Sequence, residues 1–226
     1  MDETLDRLAR AYDRTVELRL RGRSPLDGLP RKLVEDPAVV ELLELGRRVN
    51  SGDPALREHL DRGGRLLDVG CCANLANYRL DRWSTRYHGV DIAGELLGAM
   101  AAFVRRKGLE IGGLIRAEAA RLPFTDASFN AVAVIGVCGY LTRDYTARCL
   151  DELERVTAPG GRLAVDLPDT GHRLHPALVR LGRALERPPL PIEPGWFEEQ
   201  LLKSFDIQRR DEGLIIRWLL RKRGKQ

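Results

Sequence analysis

The sequence has no long hydrophobic run and few cysteines, and both absences exclude whole classes of protein. Its longest stretch without a charged residue, residues 127–142, is shorter than the roughly 18 to 20 apolar residues that span a bilayer. The four cysteines form neither CxxC pairs nor a disulfide framework, so we expect free thiols in a reducing compartment. The N-terminal residues lack the apolar stretch of a signal peptide. These features predict a cytoplasmic protein with no membrane partner.

A large excess of one charge is also absent. The formal net charge is +4, and acids alternate with bases along most of the chain. The exception is the segment 217–225, where Arg221, Lys222, Arg223 and Lys225 have no acidic neighbour in sequence and are candidates for phosphate contacts. Elsewhere the chain shows no basic stripe with interleaved aromatic residues. Nucleic acid is therefore a partner to consider, but not the favoured one.

The 226 residues are enough for one large core rather than two full domains. Residues 1–62 have a helical pattern with breakers, including Asp36 before Pro37, which predicts an N-cap and the first residue of a helix. We expect this part to be a helical cap segment. Residues 63–226 are expected to form the main domain, with a proline-rich insertion at 168–194 that borders a site.

After residue 63, short apolar runs alternate with amphipathic stretches, a pattern typical of βαβ units and a mostly parallel sheet. This predicts an α/β fold. Seven runs are candidate strands: 65–69, 87–90, 113–116, 131–135, 162–167, 205–209 and 214–220. We also expect helices over the amphipathic stretches 75–83 and 142–156, with Cys149 buried in the second.

Three motifs follow the first three predicted strands. The run LLDVGCCAN at 66–74 is a buried strand and a turn of small residues, where Gly70 allows a ligand to approach the backbone. Asp91 stands about 20 residues later, where a carboxylate can accept two ribose hydroxyls, although it is equally suited to cap the next helix. Glu118, before an apolar turn, is suited to an adenine amine.

With these motifs, the chain resembles the class I (Rossmann-like) S-adenosylmethionine-dependent methyltransferase superfamily, in particular its methyltransferase type 11 branch. The resemblance covers about 65–167 and depends on LLDVGCCAN, GVDI, AEAARLPFTDASF and APGGRL occurring in order. It implies a seven-stranded sheet with a reversed last strand, in which 205–209 and 214–220 form the terminal hairpin. It also implies S-adenosylmethionine as cofactor and S-adenosylhomocysteine as product.

The resemblance assigns cofactor contacts residue by residue. Asp68 and Gly70 would lie at the methionine end and Asp91 on the ribose, while Glu118 and the Ala119 backbone would hold the adenine. The same site would include Cys72, Asn74, Ile92 and Gly136. Three positions depart from the family pattern: Cys72 and Asn74 replace glycines, and Asn130 replaces an aspartate. Asparagine tolerates the positive φ of such a turn, whereas Cys72 would narrow the methionine pocket.

Candidate catalytic residues come from two places. The segment 136–141 faces the transferring methyl group in this family, which makes Cys138 and Tyr140 candidates, each with core packing as the alternative. In the insertion, Asp169, His172 and His175 are the polar groups expected near an acceptor, and we take His172 as the third catalytic candidate. His172 and His175 have no visible third ligand, so we predict no metal site.

The leading hypothesis is a methyltransferase that acts on a small-molecule or peptide acceptor by direct displacement, without a covalent intermediate. Two alternatives remain open. One is an RNA acceptor held by the basic C-terminal segment, and the other is a non-catalytic cofactor-binding protein with a structural or regulatory role, prompted by Cys72 and Asn74. The oligomeric state is left open, with a homodimer as one option.

Overall fold

The computed structural model describes residues 3–49, 54–72, 74–77 and 79–224. Its centre is one seven-stranded sheet with strand order β3-β2-β1-β4-β5-β7-β6. The strands are β1 Arg65–Val69, β2 Arg86–Asp91, β3 Gly113–Arg116, β4 Phe129–Val134, β5 Thr157–Pro168, β6 Phe205–Asp211 and β7 Ile215–Lys222. The predicted α/β class and the number of strands are confirmed.

Strand β7 is the reversed strand. It runs antiparallel to both β5 and β6, between which it lies, while the pairs among β1 to β5 are all parallel. The predicted terminal hairpin of β6 and β7 is therefore confirmed. Trp218 of β7 attaches this hairpin to the segment 194–201. Its fully buried ring packs on Phe197 at 5.3 Å between centroids, and its indole N–H donates to Glu198.

Nine α-helices occur in the described residues: α1 Glu3–Leu20, α2 Arg31–Val34, α3 Pro37–Val49, α4 Pro54–Leu60, α5 Asn74–Asn77, α6 Gly94–Lys107, α7 Arg143–Val156, α8 His175–Ala184 and α9 Pro194–Leu201. Short 3₁₀ turns occur at Leu80–Arg82 and Cys138–Tyr140. Asp36 caps α3 as predicted, since its Oδ1 accepts from the backbone N–H groups of Ala38 and Val39. None of these helices is long and apolar enough to cross a bilayer.

The sheet is covered on both faces. Alternating strand residues such as Leu67 and Val132 face a core shared with α1, α7 and α9, whereas Leu66 and Ala131 face a second core shared with α4, α5 and α6. A smaller cluster lies apart, where α8 of the proline-rich segment packs on α3.

The predicted helix over 75–83 is wrong. Helix α5 ends at Asn77, and a separate 3₁₀ turn begins at Leu80. Between them Arg79 has a φ of 52°, a left-handed conformation that α-helical hydrogen bonding does not accommodate. Apolar spacing at Leu75 and Leu80 reflected burial of both side chains in the second core. Burial without continuous helical backbone was sufficient to produce the pattern.

The basic segment near the C-terminus has no acidic neighbour in sequence, but the fold gives two of its described cations acidic partners. Lys222 pairs with Glu154 at 2.8 Å, and Arg223 pairs with Asp206 at 2.8 Å. The reason is tertiary, because β7 brings these cations beside β6 and the end of α7. Lys225 lies outside the described residues.

Helix α1 is tied to the Rossmann-like layer by a capping interaction across the chain. Oδ1 of Asp13 accepts from the backbone N–H groups of Glu95 at 3.0 Å and Leu96 at 3.2 Å, in the first turn of α6. Leu5 and Leu8 of the same helix are buried in the first core. The helix therefore lies along the edge of the sheet where β1, β2 and β4 end.

Replacing Asp13 by alanine removes this cap and leaves two N–H groups of α6 without a side-chain acceptor. We expect the free energy of unfolding to fall by about 1 kcal/mol, as for other lost N-caps, in urea titrations followed by circular dichroism. Glu17→Ala, an exposed change on the same helix, is the control and should have little effect. Equal losses in the two variants would contradict a capping role for Asp13.

Candidate active site

A cavity lies at the carboxyl edge of the sheet, beside β1 and β4, where the strand order reverses direction. In open α/β sheets this is the preferred place for a ligand. The cavity has a volume of ≈ 340 Å³. Its lining comes from α1, from the turns after β1 and β2 and from the segment after β4: Leu5, Leu8, Tyr12, Arg19, Gly70, Cys72, Asn74, Asp91, Ile92, Ile135, Gly136, Val137, Tyr140 and Leu141.

The turn after β1 forms one wall of this cavity. The N–H groups of Gly70 and Cys71 both donate to the carbonyl of Val90, at 2.8 and 3.0 Å, which holds the turn against the end of β2. Gly70 has a φ of 69°, and a Cβ there would lie 2.2 Å from Cγ2 of Val137. Only glycine satisfies both the backbone conformation and this close approach.

Asp91 is the central acid of the cavity. Its Oδ2 accepts from the Cys72 N–H at 2.9 Å and its Oδ1 from the Ala93 N–H at 3.0 Å. Burial raises the pKa of this carboxyl, while the backbone hydrogen bonds act in the opposite direction. The expectation that Asp91 caps the next helix is wrong, because Ala93 is the N-cap of α6; Asp91 instead holds the residue before the helix through the Ala93 N–H, and it lines the cavity. Each carboxylate oxygen keeps a lone pair with which to accept a ligand hydroxyl.

Asp68 lies deeper than Asp91, just below the turn. It is 1% exposed, its Oδ2 accepts from the Tyr87 hydroxyl at 2.9 Å, and its Oδ1 accepts from the Asn74 amide at 3.3 Å. Burial raises its pKa to about 7, partly opposed by these two hydrogen bonds. Asp68 therefore acts on the cavity through Asn74, which is one of the lining residues.

Two neighbouring cavities extend the site along the same edge. A shallow one of ≈ 560 Å³ is lined by Glu118 together with Arg116, Leu122 and Pro123. Ile92 lines both this cavity and the main one. A smaller one contains Ala119 beside Asp91 and Ile92. Oε2 of Glu118 accepts from the Tyr145 hydroxyl at 3.3 Å. Because Ile92 lines all three cavities, they are neighbours along the edge from the turn after β1 to the segment after β3.

Comparison with known proteins agrees with this geometry. Residues 67–165 match the family described as "Methyltransferase domain". This segment is a methyltransferase domain. The matched part contains the turn after β1, Asp91 and Glu118, so the predicted class I S-adenosylmethionine-dependent methyltransferase fold is confirmed.

Two curated relatives carry methyltransferase names. A demethylmenaquinone methyltransferase of Thermus thermophilus is 38% identical over 77 residues, which are 34% of this chain and 34% of the relative. A probable tRNA methyltransferase 9B of Mus musculus is 29% identical over 116 residues, which are 50% of this chain and 24% of the relative. The chain thus spans about a third or less of the curated relatives that it matches.

A solved structure shows the likeness over the whole fold. The geranyl diphosphate C-methyltransferase of Streptomyces coelicolor A3(2), in complex with Mg²⁺, geranyl-S-thiolodiphosphate and S-adenosyl-L-homocysteine, superposes with a TM-score of 0.70. It is 13% identical, and the match covers 98% of each chain. At this identity the likeness concerns the fold alone.

The methyltransferase domain brings most of the predicted site residues together, but separates the three catalytic candidates. Tyr140 lines the main cavity, where its ring meets that of Tyr12 edge-on at 6.5 Å between centroids. Cys138 is fully buried in the core beside Cys149, itself buried as predicted, and is not among the residues that line the cavity. The 3₁₀ turn places the two candidates on opposite sides of the segment.

His172 is placed away from the main cavity. Its Nδ1 accepts from the backbone N–H of Leu174 at 3.1 Å, at the start of α8, and it is absent from the described lining. His175 begins the same helix. Within the described ranges, no three His, Cys, Asp or Glu side chains come together as a potential metal site.

Sequence reasoning missed three residues of the site. Tyr12 and Arg19 reach the cavity from α1, and only tertiary packing reveals their role. Asp166 had a visible signal, because it is an acid within the apolar run 163–167 of β5. It is buried, accepts from the Gly136 N–H at 2.7 Å, and burial raises its pKa to about 6. Asp166 thus holds the turn after β4 in place.

The raised pKa of Asp68 predicts a measurable dependence of stability on pH. A carboxyl with a higher pKa in the folded state stabilises the fold at low pH, and that contribution is lost as pH rises through about 7. Between pH 4 and 8 the free energy of unfolding of the wild type should therefore fall relative to that of Asp68→Asn. Chemical denaturation across this range measures the difference in unfolding free energy between the two proteins. Each unit by which folding raises the pKa of Asp68 corresponds to about 1.4 kcal/mol of that difference.

Asp81→Asn is the control for this measurement. The Arg79 guanidinium lowers the pKa of Asp81, so its contribution is present above its ordinary pKa and is lost only at lower pH. Its difference from the wild type should stay flat between pH 4 and 8. A flat difference for Asp68→Asn as well would show that Asp68 is not a strongly perturbed acid.

Cys72 has a φ of 40°, which is unfavourable for a residue with a Cβ. Cys72→Gly should therefore raise the free energy of unfolding by roughly 0.5–1 kcal/mol. Cys72→Ala keeps the Cβ and should give no such gain, which makes it the matched control in thermal and urea unfolding. A glycine variant less stable than the alanine variant would show that the positive φ of Cys72 costs less than the extra chain entropy that glycine loses on folding.

Proposed function

We propose that this protein is an S-adenosylmethionine-dependent methyltransferase that acts on a small-molecule acceptor by direct displacement. The observation that carries the proposal is the placement of Asp91 in a cavity between the turn after β1 and the segment after β4, inside a methyltransferase domain. When bound, S-adenosylmethionine would supply a methyl group that bonds to the acceptor's nucleophile in one step, while the carbon–sulfur bond breaks and S-adenosylhomocysteine leaves. The protein then has to align the reactants and exclude water.

The residues fit this cofactor by their chemistry. Asp91 has free lone pairs for two ribose hydroxyls. Glu118 can accept from an exocyclic adenine amine, and the apolar Leu122 and Ile92 can pack on the ring. Asn74, fixed by Asp68, and the backbone after Gly70 would hold the amino-acid end. The open space at Gly136, where an added Cβ would meet no atom within 4 Å, is suited to the sulfonium.

The two tyrosines supply hydrogen bonds rather than proton abstraction. Burial raises the pKa of Tyr12 and of Tyr140 above the ordinary value of a phenol, so both stay neutral at physiological pH. Among the described lining residues, Asp91 is the only carboxylate. Because Asp91 would bind the ribose of the cofactor, it would not serve as a base for the acceptor. The chemistry therefore suits an acceptor that is already nucleophilic or loses its proton readily.

The enclosure of the cavity supports a small acceptor. Helix α1 covers it through Leu5, Leu8 and Tyr12, and Arg19 is the one cation of the described lining. An apolar acceptor, such as the demethylmenaquinone in the name of the Thermus relative, would match the apolar cover. A peptide side chain is the other acceptor of comparable size.

An RNA acceptor is the second candidate, because the mouse relative that matches 50% of this chain is named a probable tRNA methyltransferase. Against it, Lys222 and Arg223 are already paired with Glu154 and Asp206. The cavity also has a largely apolar lining from α1, with Arg19 as the one cation of the described lining, which suits a polyanion poorly. Both observations favour the small-molecule acceptor.

Binding of S-adenosylmethionine and S-adenosylhomocysteine to the purified chain by calorimetry tests the proposal. Asp91→Ala should weaken binding roughly 10- to 100-fold, since hydrogen bonds to a charged group contribute about 1.5–3 kcal/mol. Asp91→Asn, which keeps one acceptor oxygen, should bind with an affinity between those of the wild type and Asp91→Ala. Melting curves establish that each variant is folded. The control Glu199→Ala changes an exposed acid of α9 and should bind as the wild type does.

Absence of binding to folded wild-type protein would overturn the enzymatic proposal. It would favour the non-catalytic alternative, with Cys72 and Asn74 as the cause. Binding that does not depend on Asp91 would show that the cofactor uses another part of the three cavities.

A further inference from the structure

Three arginines meet at the edge of the sheet opposite the candidate active site. Arg162, near the start of β5, and Arg221, near the end of β7, are register partners on antiparallel strands. Directly opposite residues of an antiparallel pair project from the same face. Arg62 follows helix α4, which packs on β5 at this edge.

His59 fixes the position of Arg62. Its Nε2 lies 3.2 Å from the carbonyl of Leu163 and 3.0 Å from that of Leu220, each the chain neighbour of one of the other two arginines. His59 is 6% exposed, and Leu60 is buried in the second core. The end of α4 is thus attached to both strands, and Arg62 is held beside Arg162 and Arg221.

The three guanidinium groups have no carboxylate partner within the part of the chain that the structure describes. Asp206, the register partner of Arg221 on β6, pairs instead with Arg223. Burial lowers the pKa of Arg162, and the charges of Arg62 and Arg221 lower it further. Like charges directly opposite each other destabilise a sheet, so this edge has an uncompensated positive charge.

These arginines border a concave surface. A cavity of ≈ 290 Å³ is lined by Arg62 and Arg162 together with the glycine pairs 63–64 and 160–161. An added Cβ would meet no atom within 4 Å at Gly63, whereas at Gly64 and Gly161 it would clash with neighbouring atoms of the protein, so the open space lies beside Gly63 and Gly160. Nη2 of Arg221 lies 3.7 Å from where a Cβ of Gly160 would be. Asn130 also lines the cavity, but its Oδ1 already accepts from the Arg65 N–H.

We propose that this cavity, lined by Arg62 and Arg162 with Arg221 beside it, is a binding site for the phosphate or diphosphate group of a small molecule. Guanidinium groups bind phosphate oxygens through pairs of charge-assisted hydrogen bonds, and their planar geometry suits a tetrahedral anion. A bound dianion would compensate the charge that the described carboxylates leave unbalanced. A volume of ≈ 290 Å³ favours a small ligand over a nucleic-acid helix. The site is separate from the cavity around Asp91.

Calorimetry with inorganic pyrophosphate, in chloride buffer free of other phosphate, tests this site. Wild-type protein should bind, and Arg162→Ala and Arg221→Ala should each weaken binding about tenfold or more. Arg105→Ala removes the same charge from an exposed position on α6 and serves as the matched control. Binding equal in all four proteins, or absent from the wild type, would overturn the proposal.

Thermal melting separates loss of the site from loss of the fold. Without pyrophosphate, Arg221→Ala should be at least as stable as the wild type, because the change removes a like-charge contact. With pyrophosphate, the melting temperature should rise for the wild type and Arg105→Ala and should rise clearly less for the site variants. An equal rise in all proteins would indicate nonspecific anion binding and contradict the site.

A single-stranded RNA oligonucleotide distinguishes the source of the phosphate. If RNA bound through the same arginines while pyrophosphate did not, the small-molecule site would be rejected in favour of a nucleic-acid surface. Asp91→Ala should leave pyrophosphate binding unchanged, so failure of the cofactor assignment and failure of this proposal give different results.

Discussion

The carboxylate of Asp91 connects the parts from which the candidate active site is built. It accepts the N–H of Cys72 from the turn after β1 and the N–H of Ala93 at the entry to α6. A buried carboxylate requires such donors, because an unsatisfied charge away from water is costly. The turn, the end of β2 and the start of α6 are thereby held around one acid. Helix α1 joins the same assembly, since Asp13 caps α6.

Two further buried acids support the site from below, each through a neighbour. Asp68 holds the Asn74 amide, and Asp166 holds the N–H of Gly136. Burial raises the pKa of both carboxyls, so their hydrogen bonds orient the cavity wall more than their charge polarises it. The cavity itself is mainly apolar, with the charges of Asp91 and Arg19 on its described lining. Such a lining leaves recognition of an acceptor to shape and a few polar contacts.

The two edges of the sheet differ in chemistry. At the carboxyl edge β2 ends in Asp91, and tight turns with glycines of positive φ follow β1 and β4. At the opposite edge, β1 and β2 begin with Arg65 and Arg86, and Arg162 and Arg221 are paired on β5 and β7. Because β7 is reversed, its C-terminal arginine lies beside the start of β5. Strand direction thus gathers the arginines at the edge away from the candidate active site.

The sequence by itself determined the fold class, the strand positions and the order of the motifs. Alternating apolar runs and glycine turns are local signals, and the strand they predict at Arg65–Val69 has the observed bounds. It also indicated Gly70 and Asp91, since a turn and an acid at the ends of adjacent parallel strands meet at one edge. Local patterns failed where burial imitated a helix, as between Leu75 and Leu80.

Only the tertiary structure decided which side chains share a cavity. The separation of Tyr140 from Cys138 depends on a 3₁₀ turn, and the arrival of Tyr12 depends on how α1 packs. The pairing of Lys222 with Glu154 likewise joins residues distant in sequence. Contacts of this kind arise from the packing of whole elements, whose energies are summed over many residues. No local pattern of residue types contains that information.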